Sequence, residues 1–367
     1  MSNCGNWANE ENALPRRRFG VGCRLPNSDD KRGTLVTVVD RKRWTNWWHT
    51  AALAAYLGAS APARVGVRLW SAAKRKSPVV VFFYHRIAED RRTPWSTSPK
   101  AFRRQIRLLK RLCTVVSLAE AHRVLASGEN ARTLAVITFD DGYADNFRNA
   151  LPVILEEEVP VTYFVTVENI RSGKPFAHDV PYGEPAAPNT IDEIRAMAAS
   201  GIEIGSHAWT HADFGHLFDP HRIRHELFDS KRALEDLIGR EVRYFAFPFG
   251  CHEHLSKRAF ALAKEAGYHA VCTAYGGYNL PGDDPFNIQR FHGDESLLRL
   301  IHRATIDPRL LRVPRYEYTL PSPAPVCPSC DTPYRRPCDI ALPKEETPRC
   351  ELPGEAECFQ AVAENVN

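Results

Sequence analysis

The chain has 367 residues, 44% of them hydrophobic and 25% charged, and its formal net charge at pH 7 is +4. This length allows one large domain or two ordinary ones, and the apolar fraction suffices for a packed core. The small net charge, without a nucleic-acid-binding motif around the short basic clusters, argues against a nucleic-acid partner. Because no apolar run reaches about eighteen residues, a membrane-spanning helix is not expected.

The N-terminal part of the chain precedes its periodic region. Residues 1–34 are rich in Asn, Arg, Gly and Pro without apolar periodicity, which predicts a disordered extension. Residues 35–77 include "RKRWTNWWHTAALAAYLGASAPA", which has a basic start, a short apolar middle and small residues at its end. Since it begins only at Arg41, we interpret it as an amphipathic helical lead-in, or as an export signal if translation starts internally. The expected location is accordingly cytoplasmic or membrane-peripheral, with export as the alternative.

Apolar strands alternate with amphipathic helices from Pro78 onward. The strand-like runs include "VVVFFYH", "LAVITFD", "VTYFVT", "GIEIGSH" and "VRYFAFPFG". This alternation predicts an α/β fold, either a doubly wound sheet or a (β/α) barrel, and about seven strands favour the barrel over residues 78–308. In such a barrel, functional residues gather where the strands end.

Two adjacent carboxylates, Asp140 and Asp141, follow the strand "LAVITF" and precede a glycine. Adjacent acids raise the cost of ionising each other, so such a pair usually persists where a cation or a proton transfer uses it. The alternative is a solvated Asp-Asp-Gly turn between a strand and a helix.

Two histidines, His207 and His211, follow another strand end in "EIGSHAWTH". Together with Asp141 they form a possible set of three ligands that leaves positions for water, as in catalytic metal sites. The second carboxylate, Asp140, would then take a proton from the activated water. The same histidine spacing in "HRIRH" lies beside an apolar stripe and is interpreted as a solvated helix face.

The ten cysteines do not form a recognisable framework. Five are scattered singly and are interpreted as free thiols, and five lie in the Pro-rich tail, residues 309–367. This tail contains "CPSC" but no second close cysteine pair, which favours a disordered tail and leaves a metal site there as the alternative.

Three motifs resemble, in order, those of polysaccharide deacetylases of the NodB-homology type, carbohydrate esterase family 4. They are "TFDDG" at Thr138–Gly142, "SHAWTH" at Ser206–His211 and "FAFPFG" at Phe245–Gly250. The resemblance extends to "FYHRI" and "STSPKAFRRQIRLLKRL" and covers residues 78–296. It implies a distorted (β/α) barrel and a hydrolase that removes N-acetyl or O-acetyl groups from a glycan, with a divalent ion, usually zinc, activating water.

The resemblance also assigns roles to individual residues. Asp140 matches the general base, and Asp141, His207 and His211 match the metal ligands. The leaving amine needs a proton, and His292 in "QRFHGDES" is the candidate general acid, with an ordinary loop histidine as the alternative.

Contacts with the substrate follow from the same resemblance. The loop Phe247–Gly250, with Pro248 and Phe249, matches the wall of the substrate groove, and the Tyr143 backbone N–H is a candidate oxyanion donor. The rings of Tyr143, Trp209 and Phe249 suit stacking on sugars, with packing at the rim as the alternative.

The sequence departs from the family pattern in two places. Ala246 stands where the family often has an arginine that fixes the base, so Arg290 or Arg86 is expected to fill this role, or Arg290 binds a carboxylate. The motif whose tryptophan lines the acetyl pocket has no clear match. These departures motivate a second hypothesis, a carbohydrate-binding pseudoenzyme. A third keeps the metal but changes the substrate to a small molecule with another C–N bond. In either enzyme, residues 171–189 are expected to form a lid or a glycan-binding rim.

Overall fold

The computed structural model describes residues 38–90, 93–183 and 185–319, without the side chains of residues 38–46. The chain divides into two compact units, Met1–Tyr56 and Leu57–Asn367. The described part of the first unit is a stretch of one long helix, which lies where the helical lead-in is predicted. The predicted N-terminal disordered extension and the tail cysteines lie outside the described residues.

Helices make up much of the described chain. The α-helices are α1 Val38–Ala73, α2 Pro99–Leu112, α3 Leu118–Ser127, α4 Ala144–Asn149, α5 Leu151–Glu156, α6 Val167–Ser172, α7 Ile191–Ala199, α8 Pro220–Arg224, α9 Ser230–Ile238, α10 Lys257–Glu265 and α11 Leu297–Ala304. A π-helical turn, His225–Asp229, joins α8 to α9, and 3₁₀ helices occur at Ala177–Tyr182, His252–His254 and Pro308–Leu310. Within the described ranges, no helix is both long and apolar enough to cross a bilayer.

The strands form one large parallel sheet and one small pair. They are β1 Val79–Tyr84, β2 Arg86–Ile87, β3 Ser96–Thr97, β4 Thr114–Val115, β5 Leu134–Phe139, β6 Val161–Val165, β7 Glu203–Ser206, β8 Tyr244–Ala246, β9 Ala270–Cys272, β10 Asn287–Ile288 and β11 Phe291–His292. The nine-stranded sheet has the order β10-β9-β8-β7-β6-β5-β1-β11, with β4 also paired to β5, whereas β2 pairs with β3.

The segment 287–292 connects the two edges of the large sheet. Its first part, β10, pairs with β9, and its second part, β11, pairs with β1. Only Gln289 and Arg290 separate the two strands. The sheet is therefore curled, and the predicted α/β fold built on a distorted barrel of parallel strands is confirmed.

Both faces of the central strands are apolar, as parallel strands require when they are covered on each side. Every residue of β1 and β5 is buried. Alternate side chains separate into two clusters, with Val79 and Val81 in a smaller cluster that includes residues of α3, and Val80 and Phe82 in a larger cluster that includes residues of most other helices. This burial fixes the register of the strands, and with it the position of the loops that follow them.

Candidate active site

Loops at the carboxyl end of the sheet place the predicted site residues together. Asp141 follows β5, His211 follows β7 and Phe249 follows β8, and their φ angles are 73°, 62° and 60°. Ala208, between the two histidines, also has a positive φ of 68°. This left-handed conformation is costly for residues other than glycine and persists where the surrounding structure demands it. Backbone strain is therefore concentrated at this end of the sheet.

Asp141, His207 and His211 converge on one point. The Nε2 atoms of His207 and His211 lie 3.3 and 3.2 Å from Asp141 Oδ1. His207 Nδ1 lies 2.8 Å from the Ala246 carbonyl oxygen, which can only accept, so this nitrogen carries the hydrogen. The lone pair of His207 Nε2 is thereby left facing the carboxylate, as in a metal ligand whose tautomer is fixed by its other nitrogen.

These three residues fit a divalent cation. Both Asp141 oxygens are buried, and neither has a hydrogen-bond donor among the described residues. A buried carboxylate without donors is costly, and imidazole lone pairs beside it add repulsion. A cation shared by one carboxylate and two imidazoles would remove both costs, and this donor set is typical of catalytic zinc.

The pKa shifts of Asp141 and His211 agree with this fit. Burial tends to raise the pKa of Asp141, but contacts with the neighbouring histidines hold it well below its usual range. Burial lowers the pKa of His211 to about 4, which leaves its imidazole neutral at neutral pH. An ionised carboxylate and neutral imidazoles are the forms that bind metals.

Asp140 is held by Arg290. Arg290 donates from Nη1 to Asp140 Oδ1 at 2.7 Å and from Nη2 to Asp140 Oδ2 at 2.8 Å. The guanidinium also donates to the Thr273 carbonyl and the Thr138 hydroxyl, and it lies 4.6 Å from the centre of the Phe83 ring. Burial tends to raise the pKa of Asp140, but the positive charge of Arg290 outweighs it, so the net shift is downward.

Arg290 is therefore the arginine that contacts the carboxylate of Asp140, in a chain that has Ala246 where the family often has an arginine. Of the alternatives left by the sequence, the structure shows Arg290 orienting the carboxylate of Asp140, next to Asp141. Arg86 instead pairs with Asp90 and Asp145.

His292 lies beside a second imidazole that the sequence analysis did not single out. The His292 ring packs against Phe83, with 5.1 Å between centres, and against His85, with 5.3 Å. Burial lowers the pKa of His292 to about 3. Burial also lowers the pKa of His85, against the pull of both aspartates, and His85 Nδ1 has no hydrogen-bond partner among the described residues. The sequence signal that could have identified His85 was its position directly after β1, in "FYHRI".

The loop Phe247–Gly250 places one aromatic ring beside His211. Phe249 is 44% exposed, and its ring centre lies 4.9 Å from that of His211. Pro248, its neighbour, is buried. The Trp209 ring is partly buried and lies 4.7 Å from the ring of His225. Phe249 is thus the member of the predicted stacking set with an open ring at the site.

Tyr143 differs from the expectation that its ring stacks on a sugar. The side chain is fully buried, with its ring centre 4.4 Å from that of Phe176. Neither face is therefore open to a substrate. Tyr143 pairs with Pro188, but the hydrogen bonds of this pairing come from the N–H groups of Ala144 and Asn189. The Tyr143 N–H takes no part in it, so its expected role as an oxyanion donor stays a proposal.

The insert at residues 171–189 contributes a further histidine to the site. His178 Nε2 lies 3.5 Å from Asp141 Oδ2 and 2.9 Å from Tyr143 Oη. Beside it, the ring centre of Trp95 lies 5.5 Å from His178 and 5.0 Å from Tyr182. Because the insert has no periodic pattern, the sequence offered no signal for these contacts beyond the presence of a histidine.

Glu226 fixes the loop that connects His207 and His211. This buried carboxylate accepts hydrogen bonds from the N–H groups of Trp209 and Thr210, at 2.8 and 2.9 Å, and from the Thr210 hydroxyl at 2.6 Å. Glu226 lies in the π-helical turn between α8 and α9, and such turns are frequent at functional sites. The sequence pattern of this helix indicates only a solvated face.

A second group of ionisable residues, Asp213, His216 and His254, differs from the first. The Nδ1 atoms of His216 and His254 lie 2.8 and 2.7 Å from Asp213 Oδ2. These are ordinary hydrogen-bond distances, so this carboxylate has close donors, whereas neither oxygen of Asp141 has a hydrogen-bond partner within the described ranges.

A comparison with protein families finds one match in the barrel. Residues 127–271 match the model of the family described as polysaccharide deacetylase. The matched region contains both aspartates, both ligand histidines and the groove-wall loop, and it ends before Arg290 and His292.

Curated relatives share this region at low identity. The Bacillus subtilis protein YxkH, named as a polysaccharide deacetylase, is 28% identical over 142 residues, which are 39% of this chain and 45% of that protein. A chitin deacetylase of Pestalotiopsis is 27% identical over 137 residues, 37% of this chain and 39% of that protein. The chain thus spans less than half the length of these two relatives.

Solved structures share the fold. The deacetylase PplD of Streptococcus pyogenes, in complex with acetate, has a TM-score of 0.53 and 18% identity, covering 63% of this chain and 99% of its own. IcaB of Ammonifex degensii has a TM-score of 0.52 and 23% identity, covering 63% and 98%.

The curled parallel sheet is thus the fold of these two solved structures. Residues 127–271 are thus similar to the polysaccharide deacetylase family, and the resemblance predicted from the three motifs is confirmed over this region.

Proposed function

We propose that this protein is a metal-dependent hydrolase that removes N-acetyl or O-acetyl groups from a polysaccharide or another glycan. The observation that carries the proposal is the contrast between two neighbouring carboxylates. Asp141 faces two imidazoles and lacks donors among the described residues, whereas Asp140 is held by a buried arginine. The first environment suits a cation and the second suits proton transfer.

Asp141, His207 and His211 would hold the ion, and zinc is proposed because it accepts one oxygen and two nitrogen ligands readily. When bound, such an ion lowers the pKa of water and stabilises negative charge on a carbonyl oxygen. The Tyr143 backbone N–H is the proposed second donor to that oxygen.

Asp140 is the proposed general base. Arg290 keeps its carboxylate ionised and fixes its direction, because both carboxylate oxygens accept from the same guanidinium. Each oxygen retains a further lone pair, and one of these takes the proton that the attacking water must lose.

The leaving group needs a proton, and His292 is the proposed donor. Its low pKa means that the free protein holds this ring neutral, so the ring gains its proton only as negative charge develops beside it during turnover. His85 packs against His292 and is close enough to both aspartates for their charges to act on it. Variants at both positions would show which ring delivers the proton.

Aromatic side chains on two sides of the site support a sugar substrate. Phe249 lies on one side, and Trp95 with Tyr182 lies on the side of the insert. Phe249 and Tyr182 are both exposed, and aromatic faces suit the apolar face of a pyranose ring. The Arg290–Asp140 pair weakens the pseudoenzyme alternative, because it replaces the missing family arginine, one of the two departures that motivated this alternative.

The test is acetate release from chitin oligomers, peptidoglycan and acetylated xylan, each measured with and without a chelator. We expect release from at least one of these glycans, its loss after chelation, and its return when zinc is added. Release that is unaffected by complete removal of metal would refute the metal-dependent mechanism. Absence of release from every acetylated glycan, with metal bound, would favour the pseudoenzyme.

A further inference from the structure

His178 on the insert lies where it can act on the metal-binding carboxylate. The two oxygens of Asp141 have different neighbours: Oδ1 faces His207 and His211, whereas Oδ2 faces His178 Nε2 at 3.5 Å. His178 thus approaches the carboxylate oxygen that the two ligand histidines do not face.

The hydrogen bonds around Tyr143 Oη determine which atom of His178 carries a hydrogen. Three groups surround this phenol oxygen: Trp95 Nε1 at 3.2 Å, His178 Nε2 at 2.9 Å and Asp179 Oδ1 at 3.0 Å. The indole N–H can only donate, and an ionised carboxylate can only accept. A phenol has one hydrogen to give and can accept two.

The buried carboxylate of Asp179 needs a donor, and the Tyr143 hydroxyl is the close one, since the Ala186 N–H lies 3.4 Å from the other oxygen. The phenol hydrogen therefore points to Asp179. His178 Nε2 must then be the donor to Tyr143 Oη, so this nitrogen carries a hydrogen. A nitrogen that carries a hydrogen has no lone pair for a metal.

We propose that His178 is a positioning residue. Its Nε2–H is donated to Tyr143 Oη, and the partial positive charge of this N–H group, with the nitrogen 3.5 Å from Asp141 Oδ2, holds that oxygen and so keeps Oδ1 directed at the ion. Asp179 and Tyr143 orient this N–H, and the insert that carries His178 thereby takes part in metal binding. The proposal rests on the proposed ion at Asp141. Supports of this kind typically change metal affinity by about 10- to 100-fold.

Zinc affinity of the metal-free full-length protein, measured by competition with a chromophoric chelator, tests the proposal. We expect His178→Ala to weaken zinc binding about 10- to 100-fold. His178→Gln keeps an N–H donor at a similar reach and should restore most of the affinity. His221→Ala, at an exposed histidine on α8, is the matched control and should bind zinc as the wild type does. Thermal unfolding of each metal-free variant checks that the fold is retained.

Two results would overturn the proposal. One is wild-type affinity in His178→Ala. The other is an equal loss in His178→Ala and His178→Gln, with altered visible absorption of the Co²⁺-loaded His178→Gln protein, since that pattern means direct ligation. Asp141→Asn separates this proposal from the proposed function. If that variant binds zinc with wild-type affinity, the ion site itself is wrong, whereas weak binding there with normal binding in His178→Ala contradicts the role of His178 alone.

Discussion

Arg290 and Asp140 stand 150 positions apart in the chain and meet in a buried, two-pronged ion pair, with N–O distances of 2.7 and 2.8 Å. Arg290 can reach Asp140 because it lies between β10 and β11, where the chain changes from one edge of the sheet to the other. The closure of the sheet thus places the positive charge of Arg290 beside Asp140. The motif Phe245–Gly250 does not supply such a charge, because it has Ala246 where the family often has an arginine.

Replacement of Arg290 tests how far stability depends on this pair. Arg290→Met leaves a buried carboxylate without its partner and should lower the free energy of unfolding by about 3–5 kcal/mol. Arg290→Lys keeps the positive charge but cannot make the paired hydrogen bonds to both carboxylate oxygens, so we expect a smaller loss of unfolding free energy. The combination of Arg290→Met with Asp140→Asn removes the unpaired charge and should recover part of the unfolding free energy that Arg290→Met loses. Urea denaturation measures all three, and a wild-type value for Arg290→Met would show that the pair does not form.

Glu226 should control zinc binding through the histidine loop. Glu226→Ala leaves two backbone N–H groups without their acceptor, and each hydrogen bond to a charged group is worth about 1.5–3 kcal/mol. We expect weaker zinc binding in Glu226→Ala and a milder effect in Glu226→Gln, which keeps one acceptor oxygen. Glu253→Gln, at an exposed glutamate, is the control. Equal zinc affinity in Glu226→Ala and the wild type would argue against this role.

The buried His292 should make stability depend on pH. Burial lowers its pKa from about 6.5 to about 3, so the folded protein binds fewer protons than the unfolded chain. The resulting stability is fully present above about pH 6.5 and is lost as the pH falls toward 3. We expect His292→Phe to reduce the loss of unfolding free energy between pH 7 and pH 5 by about 1–2 kcal/mol. His221→Phe, at an exposed helix position, is the control, and identical pH profiles for His292→Phe and the wild type would contradict the assignment.

Phe249 should affect substrate binding more than stability. Its ring is exposed beside His211, and an aromatic contact is worth about 0.5–1.5 kcal/mol. For Phe249→Ala we expect a rise in KM for the preferred glycan of about 3- to 10-fold, with little change in unfolding. Phe218→Ala removes another exposed phenylalanine and should leave KM unchanged. If both variants behave alike, Phe249 does not contact the substrate.

The local sequence pattern was sufficient to predict that Asp140, Asp141 and His207 lie at the same edge of the sheet. Asp140, Asp141 and His207 each follow a parallel strand at its carboxyl end, and such ends meet at one edge of a sheet. The sequence therefore predicted the fold and indicated which of these side chains should converge.

Features that depend on long-range packing were harder to predict. The role of Arg290 stayed one of several alternatives because it requires the pairing of β10 with β9 and of β11 with β1. The expected stacking on Tyr143 does not agree with the structure, because Phe176 from the insert covers the ring. His178 was missed for the same reason, since nothing in an aperiodic insert shows where it folds back.

The central claim is that the two aspartates divide the chemistry, one binding the ion and the other taking the proton. The most direct measurement compares zinc affinity and acetate release in Asp140→Asn and Asp141→Asn. We expect Asp140→Asn to keep zinc but release acetate about 100- to 10,000-fold more slowly, and Asp141→Asn to lose zinc affinity. Acetate release at the wild-type rate by zinc-loaded Asp140→Asn would contradict the account.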